Sequence, residues 1–279
     1  MYKRKPFLSL SIILLNWIAV FLLVFTAYFL DIWFIHVLVF ILVGAQQHGL
    51  SLWLHEGAHG FFIRRKDIND LICHIFLAAP LFITLDTYRR RHFKHHKYLG
   101  TPEDTKQVIY SKVDGLNFLK FFISGIFGIR AIELAKGYID EFNVNSDDEN
   151  IKNKNLGSII SILIVQVCLY FAMYQIGGVE TYFIYWLLPF ITVTQLLTSL
   201  RAITEHQPGI NDPVHPFTRD LQPTLIDRVL FCRAGFQYHK YHHEFPDVPC
   251  FYLFEKSNEN HDREPKSYLE ALSDLVLQR

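Results

Sequence analysis

Histidine is concentrated in three short clusters of the sequence, HEGAH, HFKHH and HKYHH. On a helix, positions i, i+3 and i+4 project from one face, so this spacing predicts that each cluster aims two or three imidazoles at a common point. Such convergence is typical of metal ligation. The clustered residues are His55 and His59, then His92, His95 and His96, then His239, His242 and His243.

The number of clustered histidines indicates more than one metal ion. A single zinc ion takes three or four protein ligands, whereas these clusters supply eight. Imidazole binds iron, zinc, copper and nickel, so the ligand type alone leaves the metal open. A pair of iron ions is the candidate that fits oxygen chemistry.

Two other classes of protein also fit part of this pattern. HEGAH satisfies the H-E-x-x-H signature of zinc proteases, in which Glu56 would be the general base and Asp86 a third ligand. That interpretation leaves six clustered histidines without a role. A histidine-rich receptor or scaffold would bind metal but would not consume oxygen with a reductant.

Long apolar stretches must position these clusters, because 51% of the residues are hydrophobic. At about 1.5 Å per residue, four stretches are long enough to cross a hydrocarbon core of roughly 30 Å. A shorter apolar segment, 71–85, contains Pro80 and is expected to be re-entrant or interfacial. The expected transmembrane segments are 7–30, 32–54, 156–178 and 182–200.

The distribution of positive charge predicts the topology. Lys and Arg total 27, as do Asp and Glu, so nothing global favours nucleic acid as a partner. The basic residues avoid the linkers at Asp31 and Glu180, which places both termini, 86–155 and 201–279 in the cytoplasm.

We therefore expect an all-α integral membrane protein with four transmembrane helices in two hairpins. A cytosolic helical cap would hold the histidine boxes, and residues 1–279 would form one domain. The expected location is a bacterial inner membrane or the endoplasmic reticulum, with the active site facing the cytoplasm.

The three boxes, their order and their placement after the second and before the third apolar stretch resemble the membrane fatty acid desaturase superfamily. The segments RRRHFKHHKYLGTPED and YHKYHHEFPDVP carry the resemblance, which covers nearly the whole chain. It implies an oxygen-dependent desaturase that uses two iron ions, with O2 as co-substrate, to introduce a double bond into a long acyl chain. In such proteins a further histidine follows the last span, and RAITEH places His206 there.

The resemblance implies nine iron-binding, catalytic histidines: His55, His59, His92, His95, His96, His206, His239, His242 and His243. Two departures bear on the substrate. The first box is one residue shorter than is usual in acyl-CoA desaturases, and Ala202 replaces the Asn that those enzymes carry four residues before the late histidine. The chain is therefore more similar to acyl-lipid desaturases or to their hydroxylase and ketolase relatives.

Nearby carboxylates are expected to hydrogen-bond the second ring nitrogens of the ligands. The candidates are Glu56, Asp104, Glu205 and Glu244. The five remaining histidines are expected to have structural or surface roles: His36, His48, His74, His215 and His261.

Electrons must come from a partner, since the sequence has no cysteine cluster, no G-x-G-x-x-G fingerprint and no HPGG signature. A ferredoxin or a cytochrome b5 would serve. The basic residues around the second box could dock an acidic donor, or they could lie at the lipid head groups. They are Arg89, Arg90, Arg91, Lys94 and Lys97.

Overall fold

The computed structural model describes residues 2–110, 115–143, 149–206, 217–257 and 266–277. These parts of the chain are helices and connecting turns, and they contain no β-strand. The expected all-α architecture is confirmed for them. Four helical stretches are long and apolar enough to cross a membrane: Pro6–Leu30, Trp33–Ala58, Leu156–Gly177 and Val179–His206.

The first two helices, α1 (Pro6–Leu30) and α2 (Trp33–Ala58), form a hairpin. Proline at the first position suits the start of α1, where its missing N–H costs no hydrogen bond. Asp31, with φ of 48°, ends α1 in the left-handed conformation. One face of α1 is buried, while Phe7 on the other side is 88% exposed, as expected of a helix that faces lipid.

The second hairpin pairs α8 (Glu149–Gly177) with a longer, irregular helical stretch. Gly178, with φ of 91°, makes the break between the two arms. Two π-helical turns interrupt the second arm, and such turns are frequent at functional sites. The second arm consists of α9 (Val179–Tyr182), the π-turns Phe183–Leu187 and Phe190–Thr194, and α10 (Gln195–His206).

Between the hairpins the chain bends sharply ahead of the second histidine box. The helical stretch Lys66–Leu81 meets Leu85–Tyr98 at an angle of 88°. Gln166 donates to the backbone oxygens of Ala79 and Pro80 at 2.8 and 3.0 Å, and so satisfies carbonyls that the irregular turn leaves free. Within this region we number α3 (Lys66–Cys73) and α4 (Leu85–Tyr98).

Three helices follow the second box: α5 (Gln107–Tyr110), α6 (Gly115–Ile126) and α7 (Ile129–Asn143). Gly128, with φ of 73°, separates α6 from α7. Apolar side chains on both helices are exposed; Phe127 between them, for example, is 76% exposed. This pattern is typical of helices that lie at a membrane surface.

The C-terminal part of the chain supplies four short helices, α11 (Leu225–Leu230), α12 (His239–Glu244), α13 (Leu253–Ser257) and α14 (Tyr268–Leu277). Thr224 and Asp227 form a reciprocal capping box that fixes the start of α11. The third histidine box is α12 itself. The histidine boxes thus lie on α2, α4 and α12, with His206 at the end of α10.

Candidate metal centre

Five histidines from all three boxes converge in a first group. Their ligand atoms all lie within 4.8 Å of one another. The C-terminal end of α2 contributes two of them, α4 two and α12 one. The members are His55, His59, His92, His96 and His242.

Four histidines converge in a second group, whose ligand atoms also all lie within 4.8 Å of one another. One comes from α4, one from the last residue of α10 and two from α12. The members are His95, His206, His239 and His243. The structure thus brings all nine predicted residues into two groups.

Each H-x-x-H-H box is divided between the two groups. His92 and His96, four residues apart on α4, face the first group, whereas His95 faces the second. On α12 the pair His239 and His243 faces the second group and His242 the first. Each box therefore aims two imidazoles at a common point, as expected, and the third imidazole of each H-x-x-H-H box faces the other group. Positions i and i+4 are 40° apart on a helix of 3.6 residues per turn, while i+3 is displaced to the other side of i.

The ring nitrogens of each group point at one another. In the first group, Nε2 of His92 lies 2.7 Å from Nε2 of His59 and 3.0 Å from Nε2 of His96. In the second, Nε2 of His206 lies 2.8 Å from Nε2 of His239. Such convergence of like atoms is the arrangement expected around a metal ion.

Burial keeps these imidazoles neutral. It is the largest cause that lowers the pKa of His242 and His243 well below the usual value of 6.5, and neighbouring histidines add to it. Neutral imidazole is the form that ligates metals. Both ring nitrogens of His55 are buried and have no hydrogen-bond partner among the described residues, so they are available to a metal ion.

Asp104 orients one histidine of the second group. Its Oδ1 accepts a hydrogen bond from Nδ1 of His95 at 2.7 Å, and both side chains are fully buried. Tyr110 and the backbone N–H of Lys106 donate to the same carboxylate. The proton held on Nδ1 of His95 leaves Nε2 to face the group.

A second carboxylate, Glu205, lies beside the same group. Arg201 forms an ion pair with it at 2.7 Å, and the hydroxyl of Tyr268 donates to it at 2.9 Å. Its other oxygen is 3.6 Å from Nε2 of His239. His206 instead donates from Nδ1 to the carbonyl of Phe217 at 3.2 Å, a backbone partner that no side-chain pattern identifies.

Glu56 belongs to neither group. Its Oε1 accepts a hydrogen bond from the backbone N–H of Cys250 at 3.0 Å, and the residue is 1% exposed. A zinc-protease general base must instead reach a metal-bound water. Asp86, the third ligand which that alternative requires, belongs to neither group and lies 3.9 Å from Arg89. The role expected of Glu244 stays a prediction.

The basic residues around the second box separate into two sets. Arg89 forms an ion pair with Asp70 at 2.6 Å, and Arg90 with Glu141 at 3.1 Å. Arg91 donates to the backbone carbonyls of Gly137 and Thr105. Lys94 and Lys97 are exposed.

Histidines outside the boxes make ordinary hydrogen bonds, as expected. His48 contacts the hydroxyl of Thr198 at 3.0 Å, and His74 contacts that of Ser161 at 2.6 Å. His36 contacts Asp31 at 3.2 Å. The remaining two, His215 and His261, lie outside the described residues.

A cavity of about 540 Å³ reaches the first group, because His55 and His92 form part of its wall. Apolar side chains such as Leu81 and Phe190 line much of it. Lys106 also lines it, a residue that the sequence analysis did not single out. Its position two residues after Asp104 is the one signal that places it near the metal centre.

Known proteins that are similar to this chain include two desaturases. A dihydrorhizobitoxine desaturase from Bradyrhizobium elkanii is 23% identical over 245 residues, which cover 84% of this chain and 69% of that protein. An sn-1 oleoyl-lipid 12-desaturase from Anabaena variabilis is 33% identical over 66 residues, 24% of this chain and 19% of that protein.

The family model described as fatty acid desaturase matches residues 31–272. The match spans all three histidine boxes and His206. It also includes α2, α4, α10 and α12, the helices that carry both groups. The chain belongs to the fatty acid desaturase family.

Proposed function

We propose that the protein is an oxygen-dependent membrane desaturase that holds two iron ions and introduces a double bond into a long acyl chain. The observation that carries this proposal is the pair of histidine groups, five residues in one and four in the other, assembled from all three boxes. One metal ion does not need nine imidazoles in two places.

The residues fit two metal ions. The nine buried or half-buried imidazoles provide only nitrogen donors. Asp104 accepts a hydrogen bond from the second ring nitrogen of His95, the kind of contact that orients a metal-binding histidine. We propose that the first group holds one iron and the second group the other. Iron bound there would supply oxygen activation and the removal of hydrogen from an unactivated carbon.

The protein's own part would be to hold the substrate in place and exclude water. The cavity beside His55 and His92 is of a size that takes a small lipid-like molecule, and its apolar lining suits an acyl chain. The printed name of the Anabaena relative, an oleoyl-lipid desaturase, supports an acyl-lipid substrate. A hydroxylase or ketolase reaction on a fatty acid or carotenoid is the alternative at the same site.

The electron donor would be a separate ferredoxin or cytochrome b5. We propose that it approaches Lys94 and Lys97, which follow the first histidine of the second box and are exposed. An acidic donor would be guided to this surface by opposite charge.

We propose that residues 1–279 form one domain in a bacterial inner membrane or the endoplasmic reticulum. The four apolar helices support a multi-pass arrangement. Both termini and the histidine groups would face the cytoplasm, in agreement with the positive-inside rule, and the bent segment 71–85 would be re-entrant or interfacial.

Metal analysis of the purified protein, together with lipid profiles of cells with and without it, tests the proposal. We expect two irons per chain and new unsaturated acyl chains. Oxygenated products would move the function to hydroxylase or ketolase. One zinc per chain with unchanged lipids would overturn the proposal.

A further inference from the structure

The lining of the cavity carries more positive than negative charge. Arg91, Lys106 and Arg201 line it, together with one carboxylate, Glu205. Glu205 is already paired with Arg201 at 2.7 Å. Arg91 and Lys106 are therefore left to be balanced by something else.

Lys106 has no anionic partner in the described part of the chain. No carboxylate oxygen there lies within 4.0 Å of its ammonium group, and that group makes no hydrogen bond. Asp104, two residues before it, is occupied by His95 and Tyr110. Lys106 is half-buried. An ammonium group that is partly desolvated and has no anionic partner is suited to an anion that comes from outside the protein.

Arg91 is held in place without being neutralised. It donates to the backbone carbonyl of Gly137 and, at 3.2 Å, to that of Thr105. Its guanidinium carbon lies 4.8 Å from the ring centroid of Tyr138. These contacts fix its direction, and no carboxylate in the described ranges forms an ion pair with it.

We propose that Lys106, with Arg91 beside it, binds the free carboxylate of an acyl substrate inside the cavity that reaches His55 and His92. The inference rests on the proposed function, since it takes this cavity as the substrate site. The substrate would then be a free fatty acid and not the esterified acyl lipid of the proposed function. A cavity of about 540 Å³ suits one acyl chain with a small head group better than a lipid with two chains.

The charge state of Lys106 agrees with this role. Burial, the largest cause, and the nearby Arg201 lower the pKa of Lys106 to about 8. The ammonium form therefore still predominates at neutral pH, when a carboxylic acid is ionised. The two groups would meet with opposite charges.

Equilibrium binding of three twelve-carbon ligands to the full-length protein in detergent tests the proposal. The ligands are dodecanoate, dodecanol and dodecyl phosphate. Wild-type protein is expected to bind dodecanoate at least about tenfold more tightly than dodecanol, a difference typical of one charge-assisted contact. Lys106→Met should remove that preference, Lys106→Arg should retain most of it, and Lys120→Met, at an exposed lysine of α6, should leave it unchanged.

Thermal unfolding provides a second readout. Lys106→Met removes a half-buried ammonium that has no anionic partner among the described residues, so the ligand-free variant should unfold at a temperature no lower than wild type. Dodecanoate should raise the unfolding temperature of wild type but not of the variant. Equal binding of dodecanoate and dodecanol to wild type, or an unchanged preference in Lys106→Met, would overturn the proposal. Tighter binding of dodecyl phosphate than of dodecanoate would overturn the assignment to a carboxylate.

The iron content of the same samples separates this inference from the proposed function. A preference for dodecanoate in protein that takes up no iron would leave the inference standing and count against the di-iron proposal. If the protein holds two irons and makes new unsaturated lipids but binds dodecanoate and dodecanol equally, the di-iron proposal would stand and the inference about Lys106 would fail.

Discussion

The carboxylate of Asp104 lies 2.7 Å from Nδ1 of His95, and no part of either side chain is exposed. We expect Asp104→Asn to weaken metal binding at the second group by roughly 10- to 100-fold, because the ring loses the acceptor that fixes its tautomer. Titration with a chelator, followed by metal analysis, measures this. Asp67→Asn is the control, since Asp67 is exposed and pairs only with Arg65 nearby. Equal metal retention by both variants would contradict the role of Asp104.

Single histidine substitutions should distinguish the two groups. His59→Ala removes a member of the first group and His243→Ala a member of the second, so each is expected to lower the metal content from two per chain towards one. His96→Ala should abolish turnover. His74→Ala is the control, because His74 lies outside both groups and bonds to Ser161. Full metal content and turnover in all of these variants would show that the groups do not bind the metal.

Glu56 should be dispensable for chemistry. Glu56→Gln keeps an oxygen that can accept from the N–H of Cys250, so metal content and turnover are expected to stay within about twofold of wild type. Glu56→Ala leaves that buried N–H without a partner and should destabilise the fold by about 1–3 kcal/mol. If Glu56→Gln stopped turnover while metal and fold were retained, Glu56 would have to be a proton-transfer group after all.

Gly57 in the first box has no room for a side chain. A Cβ there would overlap Sγ of Cys73 and lie 2.8 Å from Cε2 of Phe62. Gly57→Ala is therefore expected to destabilise the protein by about 1–3 kcal/mol, the usual cost of overpacking. Gly157→Ala is the matched control, since nothing lies within 4 Å of a Cβ at that helical position. Thermal unfolding in detergent should separate the two variants, and equal unfolding temperatures would contradict the packing argument.

Reduction by an acidic donor should depend on Lys94 and Lys97. We expect the double variant Lys94→Glu, Lys97→Glu to be reduced several-fold more slowly than wild type. Added salt should lower the reduction rate of wild type more than that of the variant. Lys120→Glu changes an exposed lysine on α6 and should have little effect. Stopped-flow reduction at several salt concentrations measures this. A wild-type rate that does not depend on salt would exclude docking by charge.

The helical character of the chain and the clustering of the eight histidines in the boxes followed from local sequence pattern, whereas His206 was included because of the resemblance to the desaturase family. Uninterrupted apolar runs predict long helices, and the chain has them at α1, α2 and α8. The spacing of the boxes predicts histidines that share one side of a helix. The segments around the second and third boxes were sufficient to indicate the family.

Tertiary structure decided how those histidines are grouped. Each box presents three imidazoles or two, but α4 and α12 pack so that the i+3 residues, His95 and His242, serve the opposite group from their neighbours. Tertiary contacts also determine which carboxylates lie beside the second group. Asp104 and Glu205 do, whereas Glu56 instead bonds to Cys250, a residue far away in sequence. The same holds for Lys106, because only the fold places its side chain in the cavity lining, where no anionic partner lies among the described residues. Local spacing determines the direction of a side chain on its own helix, whereas the packing of separate helices determines what that side chain meets.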